Sequence, residues 1–474
     1  MSLRRQNGSF MKIVVCIRQG LDGEINPFDA AAYEEALRIE GAEITLLSMG
    51  APSVGDFLIR ISRLGANRII LLSDKAFAGA DTLATAYTLS LAIKKMSPDY
   101  VFCGRQTLIG DTAQTPPMLG EILGCGIISN VMKINSVTGE GIECETREEG
   151  VIYSTSPALI TVERINHLRL PKLRSKACEL EIWGYSDIGA DVSRCGLAGS
   201  PTRVIKTFEN ESGKRKCKFI THDELKFAIE EGLSKFRNKV SEVEKGDREY
   251  LPTVISVGEA PLSFARTICK SPILLPLTNA DEIVKQIKQI SPNAVIWGSD
   301  VKSKRISSAV AARLGLGLCA DCTKLTCEGG ELIMYRPALA GSIIAKISSN
   351  TRPGMATVRC ESNGLSDIIV GVGYGAKDEL DKVKAFAKEL SADLASSRRL
   401  VDNDYMPYKS QVGMTGKSVS PAVYIAIGIS GAVHHIAGVE KSGTIIAINP
   451  DKNAPIFDYA DYGILEKLDE ALGK

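Results

Sequence analysis

The stretch Val423-Tyr424-Ile425-Ala426-Ile427-Gly428-Ile429-Ser430-Gly431-Ala432-Val433-His434-His435 decides the fold class. Its opening run is apolar and rich in β-branched side chains, as in a strand buried on both faces, and it breaks at once into Gly, Ser and His. A second run, residues 444–448, has the same character and opens into Asn449-Pro450-Asp451. Such strands belong to parallel α/β sheets, whose ligands bind at the carboxyl ends of the strands. Just upstream, Gln411-Val412-Gly413-Met414-Thr415-Gly416-Lys417 supplies another Gly-containing loop. Glycine lets backbone N–H groups approach a pyrophosphate, and a helix starting there adds its positive N-terminal end. The pattern points to a phosphorylated cofactor; the competing reading is tight turns in a sheet that binds nothing.

The chain has 474 residues, too many for one core, and at ~150 residues per domain about three domains are expected. Lys and Arg number 57 against 56 Asp and Glu, so charge calls for neither nucleic acid nor an anionic membrane. The longest apolar stretch, residues 421–433, is broken by two glycines and a serine and falls short of the ~20 residues of a membrane span. Residues 1–10 lack an apolar core and read as a disordered leader. Twelve cysteines, dispersed in apolar contexts, suit reduced, buried thiols and a cytoplasmic location. Cys319, Cys322 and Cys327 form one cluster with part of a metal-ligand pattern, but no fourth ligand is evident nearby, and no metal is expected.

An internal repeat organises the rest. Ser97-Pro98-Asp99-Tyr100-Val101-Phe102-Cys103-Gly104 recurs as Ser291-Pro292-Asn293-Ala294-Val295-Ile296-Trp297-Gly298. Each copy continues with a polar loop, a helix rich in small residues and a Leu-Gly stop, at Leu123-Gly124 and Leu314-Gly315, then closes with a Pro-led strand. Two related α/β units in tandem follow, from duplication or fusion. The expected divisions are a leader at 1–10, a first domain at 11–200, a charged connector at 201–250, a second domain at 251–365 and a third at 366–474. A short amphipathic helix in the connector, over residues 223–236, leaves both docking and a solvated tether open.

The third domain resembles the FAD domain of the electron transfer flavoprotein alpha subunit. Ser397-Arg398-Arg399-Leu400-Val401-Asp402, the QVGMTGK run, PAVYIAIGISGAVHH, AINPDKNAPIF and Ala460-Asp461-Tyr462-Gly463 occur in that family's order and spacing. The resemblance implies FAD held by Ser397, Arg398, Gln411, Val412, Gly413, Met414, Thr415, Ser430, Gly431, Ala432, Val433, His434, His435, Asn449 and Lys467. Within that set Arg398 would lie against the isoalloxazine ring, Thr415 reach its N5, and His435 donate toward its O2. Ser430 and the following backbone would face the pyrophosphate, and Asn449 the adenosine end. Cations or hydrogen-bond donors there would stabilise negative charge gained by the ring. The bland readings are an Arg398–Asp402 or Arg398–Asp404 ion pair, a turn at Thr415 and a core histidine at 435. Tyr374, His434 and Lys467 stand where the family usually has arginine, glutamine and an acidic residue.

The first domain resembles the beta subunit of the same family through VVCIRQ, NPFDAAAYEEALRI, Gly79-Ala80-Asp81-Thr82-Leu83-Ala84-Thr85, GRQTLIGDTAQ and GLAGSPTRV. This implies a second nucleotide, AMP or a second FAD, held by Cys16, Asn26, Pro27, Phe28, Asp29, Met49, Gly104, Arg105, Gln106, Gly110, Asp111, Thr112, Ala113, Gln114 and Thr115. The GRQ, GDTAQ and GLAGSPTRV pieces are closer to the electron-bifurcating group, whereas Ile109 replaces the usual Asp. Residues 251–365 resemble the alpha subunit's first domain, a scaffold.

The fold implied is α/β: two related doubly wound parallel-sheet domains of the adenine nucleotide alpha hydrolase-like type, then a Rossmann-like FAD domain. The function implied is a redox carrier, with beta-like and alpha-like halves fused as a pseudo-heterodimer within a monomer. It would pass electrons on FAD from a flavin dehydrogenase, such as the acyl-CoA dehydrogenases of fatty acid β-oxidation, to an acceptor oxidoreductase. The alternatives are a bifurcating form with a second FAD that oxidises NADH, and a nucleotide-binding module without flavin.

Overall fold

The computed structural model describes residues 11–20, 23–107, 109–110, 112–165, 167–209, 214–239, 249–338, 343–359, 366–413 and 416–467, with side chains of 236–239 left aside. The expected leader and three expected site residues, Asp111, Met414 and Thr415, lie outside these. The chain divides into two compact units: residues 1–207, 249–339 and 345–358 form the first, and 208–248, 340–344 and 359–474 the second. The two repeat copies therefore fall in one compact unit.

A nine-stranded sheet dominates the first copy. From one edge it runs Gly150–Thr155, Gly141–Thr146, Gly126–Val137, Ala158–Val162, Tyr100–Gly104, Met11–Cys16, Ala42–Met49, Arg68–Leu72 and Leu180–Trp183. The last seven are parallel, and the first two extend them as an antiparallel meander. Strand order reverses at Met11–Cys16, whose sequence successor lies on one side and Tyr100–Gly104 on the other. Ligand crevices form at such switch points. The second copy is a parallel five-stranded sheet in the order Ile273–Leu275, Val254–Val257, Ala294–Gly298, Gly354–Val358, Leu318–Cys322.

The repeat is visible in the backbone. Ser97 and Ser291 end their helices at φ 49° and 50°, and Gly124 and Gly315 end theirs at φ 68° and 66°. Proline cannot continue a helix, so Ser-Pro after the left-handed cap fixes where each strand begins. One apolar core joins the copies, with Met118 and Leu119 of the first beside Trp297 and Val310 of the second. Charged clasps cross the same boundary: Arg305 takes both Glu149 oxygens at 2.7 and 2.9 Å, and Arg313 Nε donates to Glu121 at 2.6 Å.

The second unit is a six-stranded parallel sheet ordered Lys218–Phe219, Tyr462–Ile464, Thr444–Ile448, Val423–Ile427, Ile368–Val372, Asp393–Ser396. Apart from the edge pair Lys218–Phe219, the strands follow the 2-1-3-4-5 doubly wound order. Much of the expected connector belongs here. The helix Leu225–Lys239 buries Leu225, Ala228 and Ile229 against Val370, Val423 and Ile446. Arg215 ion-pairs with Asp461 and donates to the Ser442 and Glu440 carbonyls at 2.7 and 3.2 Å. Tyr462 donates to Glu231 at 2.6 Å. Docking, not the tether, is what the amphipathic pattern produced. Among the described residues no helix is long and apolar enough to cross a membrane.

Candidate functional site

In the second unit the expected FAD residues collect at the carboxyl ends of the parallel strands. Ser397 follows Asp393–Ser396, residues 428–435 follow Val423–Ile427, Asn449 follows Thr444–Ile448, and Lys467 lies in the tail after Tyr462–Ile464. The QVG segment closes the group, because Val412 N donates to Ser396 O at 3.0 Å and Gly413 N to Lys417 O at 3.1 Å. Gly431 has φ +88°, and a Cβ there would sit 2.1 Å from Ile456 N. This glycine therefore lets two loops pack together, a role apart from the cofactor approach its sequence suggests.

The electrostatics centre on His435. It is buried, its Nε2 lies 2.9 Å from the Tyr424 hydroxyl, and burial pushes its pKa down to about 4, partly offset by the Val412 backbone. Burial also holds Tyr424 protonated, with its pKa raised. The Val412 backbone raises the His435 pKa as an acceptor does, which places the ring proton on Nδ1 and leaves Nε2 to accept from the Tyr424 hydroxyl. Nδ1 is turned toward the Val412 backbone without meeting full hydrogen-bond geometry, and among the described residues the buried Ser397 Oγ has no partner. A neutral imidazole and an unpaired hydroxyl, at the carboxyl ends of two strands that flank Ile368–Val372, suit a polar ring edge such as a flavin's. His435 is thus a donor and not a cation.

Other expected residues are already engaged. Arg398 Nε donates to Asp402 at 3.1 Å, the ion pair weighed from sequence. Asn449 Nδ2 donates to Ile429 O at 3.0 Å and its Oδ1 accepts from Asp451 N at 2.9 Å, so it braces two loops. Gln411 and Val412 are buried, whereas Ala432, Val433, His434 and Lys467 are exposed. Tyr374, in the usual arginine place, carries the Arg399 guanidinium 4.0 Å over its ring. Lys417 is a half-buried cation whose pKa burial lowers while Asp393 opposes the shift. Sequence reading passed over Tyr424, because an aromatic inside a buried strand carries no signal beyond packing.

The first unit holds a cavity of about 1200 Å³ at its switch point. Of the expected second-nucleotide residues, Cys16, Asp29, Met49, Gly104, Gln106, Gly110, Thr112, Ala113 and Thr115 line it, as do the 79–82 loop and Ile109. Asp29 clamps the two strand-end loops, accepting from Arg18 N at 2.8 Å and Gly104 N at 3.2 Å. Burial raises its pKa to about 7 against those hydrogen bonds. Asn26, Pro27, Phe28, Arg105 and Gln114 are not among the lining residues. Asn26 makes no side-chain cap; its Nδ2 donates to Gln106 O at 2.9 Å. Pro27 opens the helix Pro27–Arg38. Arg105 lies over Phe28 and pairs with buried Glu163 at 3.2 Å, which Arg147 also meets at 3.2 Å. Gln114 is fully buried with neither amide atom partnered among the described residues. From the second copy, Cys319 and Arg336 reach the cavity wall, and Arg336 donates to Gly110 O at 2.8 Å.

Among the described residues no group of three or more His, Cys, Asp or Glu is placed to hold a metal, the Cys319 cluster included.

Comparison with known proteins agrees with the architecture. The electron transfer flavoprotein domain model matches residues 13–187 and again 273–388, and the electron transfer flavoprotein FAD-binding domain model matches 365–440. Protein FixA of Azorhizobium caulinodans is 40% identical over 227 residues, covering 44% of this chain and 81% of that protein. The electron transfer flavoprotein subunit beta of Clostridium acetobutylicum is 39% identical over 208 residues, 41% of this chain and 79% of the subunit. The subunit alpha of Thermoanaerobacterium thermosaccharolyticum is 35% identical over 235 residues, 40% of this chain and 71% of the subunit. The chain belongs to the electron transfer flavoprotein family, with a beta-like and an alpha-like half fused in one polypeptide and a FAD-binding domain in the second half.

Proposed function

We propose that the protein carries electrons on one FAD in its second unit, from a flavin-containing dehydrogenase to an acceptor oxidoreductase. The observation that supports this most is the gathering of a buried, neutral His435 and the buried, unpartnered Oγ of Ser397 at the carboxyl ends of the parallel strands of the FAD-binding domain. FAD would supply the redox chemistry, and the chain would supply binding and polarity. In this reading Tyr424 fixes the His435 tautomer so that Nδ1 presents a neutral N–H, and Ser397 adds a hydroxyl. Arg398 stays tied to Asp402.

The test is release of bound nucleotides from the purified protein, with chromatography and counting. One FAD per chain, lost in His435→Ala, is the expected result. A protein that stays colourless after incubation with FAD would refute it and favour a nucleotide-binding module without flavin.

One observation favours a second reading. The first-unit cavity exceeds the ~300–1,000 Å³ usual for small-molecule sites, which suits a dinucleotide better than AMP. In that reading the protein bifurcates electrons through a second FAD. Two FAD per chain and bleaching by NADH would support it, and FAD with AMP in equal amounts would reject it.

A further inference from the structure

The strand Leu318–Cys322 pairs with Gly354–Val358 irregularly: Cys319 is opposite Ala356 and Cys322 opposite Val358. Three steps on one strand match two on the other, a bulge whose extra residue is absorbed at Asp321, with φ +53°. Side chains alternate faces along a strand, so two residues opposite 356 and 358 fall on the same face. Cys319 and Cys322 are thereby neighbours. The Cys322 thiol donates to the Cys319 carbonyl at 3.8 Å and interacts with the Cys319 thiol.

The bulge itself is common to both repeat copies. In the first copy Ile128 is opposite Ile160 and Val131 opposite Val162, with Asn130 at φ 57°. Thr161 Oγ1 accepts from Asn130 N at 2.9 Å, and Thr357 Oγ1 accepts from Asp321 N at 2.9 Å. One copy fills the paired positions with Ile and Val, the other with two thiols, so the scaffold alone does not require cysteine.

The surroundings differentiate the two sulfurs. The neighbouring Cys322 thiol and the charge of Arg336 lower the Cys319 pKa, whereas burial and then Cys319 raise that of Cys322. Asp321, bound to Lys304 at 2.8 Å, opposes Arg336. Cys16 and Cys103 also face each other across adjacent strands and line the same cavity. There, however, the hydrogen bond to Cys16, burial and the charge of Asp29 all raise the Cys103 pKa. A cysteine whose pKa is lowered near a cation, next to one whose pKa is raised, is the arrangement of an attacking and a resolving cysteine.

We propose that Cys319, in the cavity wall, and Cys322, buried behind it on the same strand, form a redox-active dithiol that exchanges with small-molecule disulfides entering the cavity. Cys319 Sγ⁻ attacks one sulfur of R–S–S–R, forming Cys319–S–S–R and releasing RS⁻. The Cys322 thiol then gives up its proton and attacks Cys319 Sγ, forming the Cys319–Cys322 disulfide and releasing the second RS⁻, which takes a proton. Two protein thiols are oxidised and one disulfide is reduced to two thiols. This step requires no bound flavin and stands independently of the proposed carrier role.

The experiment incubates the reduced full chain with oxidised glutathione, blocks free thiols with N-ethylmaleimide and maps peptides by mass spectrometry. The expected result is loss of two alkylated sites at Cys319 and Cys322, joined as one disulfide, with Cys103 still alkylated. Cys322→Ser should trap a glutathione adduct on Cys319. Full alkylation of Cys319 and Cys322 at every glutathione ratio would overturn the proposal, as would disulfides joining either one to another cysteine. The map of the unaltered chain decides the matter if the variant does not fold.

Discussion

Tyr424 and His435 act as one group. In Tyr424→Phe the buried Nε2 loses its donor, and leaving a buried polar atom unsatisfied costs about 1–3 kcal/mol, to be read from urea unfolding of the flavin-free protein. Nitrogen-15 NMR of the imidazole should then show the Nδ1–H tautomer losing dominance; an unchanged tautomer would refute the assignment. The pair was half legible in sequence. His435 stood out after Gly428-Ile429-Ser430-Gly431, but its charge state did not, because ionisation depends on desolvation by side chains distant in the chain. The same limit applied to Arg105, whose guanidinium turns to Glu163 and Phe28 instead of the cavity.

Asp29 and His435 give opposite pH responses. The His435 pKa falls from 6.5 to about 4 on folding, so between those values the unfolded chain binds more protons and stability falls as pH falls. The Asp29 pKa rises from 3.8 to about 7, so in that window the folded chain binds more protons and stability falls as pH rises. Unfolding measured from pH 4 to 7 in His435→Gln and Asp29→Asn, each subtracted from the parent, should show slopes of opposite sign. Slopes of the same sign would contradict the two environments.

Among elements, the Gly371 strand is the sharpest case. A Cβ at Gly371 would fall 1.8 Å from the Tyr424 hydroxyl, so Gly371→Ala must displace the ring that holds His435. Overpacking of this kind costs about 1–3 kcal/mol, and FAD affinity should fall more than in Tyr424→Phe, as flavin fluorescence titration would show. Elements themselves were largely readable: apolar β-branched runs placed the parallel strands, and Ser-Pro and Leu-Gly placed the helix ends. Pairing was not. Strand order and the bulge at Asp321 come from contacts between segments far apart in sequence, for which a single chain offers no pattern.

For the whole molecule, the partition into two units was the least legible feature, since a charged, irregular composition made residues 201–250 read as a connector. Its apolar helix face shows its packing only once the second-unit sheet is in place. A fragment of residues 366–474 should therefore be insoluble or bind no FAD, whereas one joining 208–248 to 359–474 should bind it, by absorbance of the purified fragments. Binding by the shorter fragment alone would show that the edge strand and helix are dispensable.

The placement of Lys218–Phe219 beside Tyr462–Ile464 has a bearing on inheritance. A gene cut at the boundary suggested by sequence, near residue 250, would assign the edge strand, the Arg215 contacts and the helix Leu225–Lys239 to one polypeptide and the rest of their sheet to the other. Any two such halves, exchanged between relatives, would have to match across that seam, so the segment 208–248 must co-evolve with the FAD domain it completes and not with the cavity-bearing unit that precedes it in the chain.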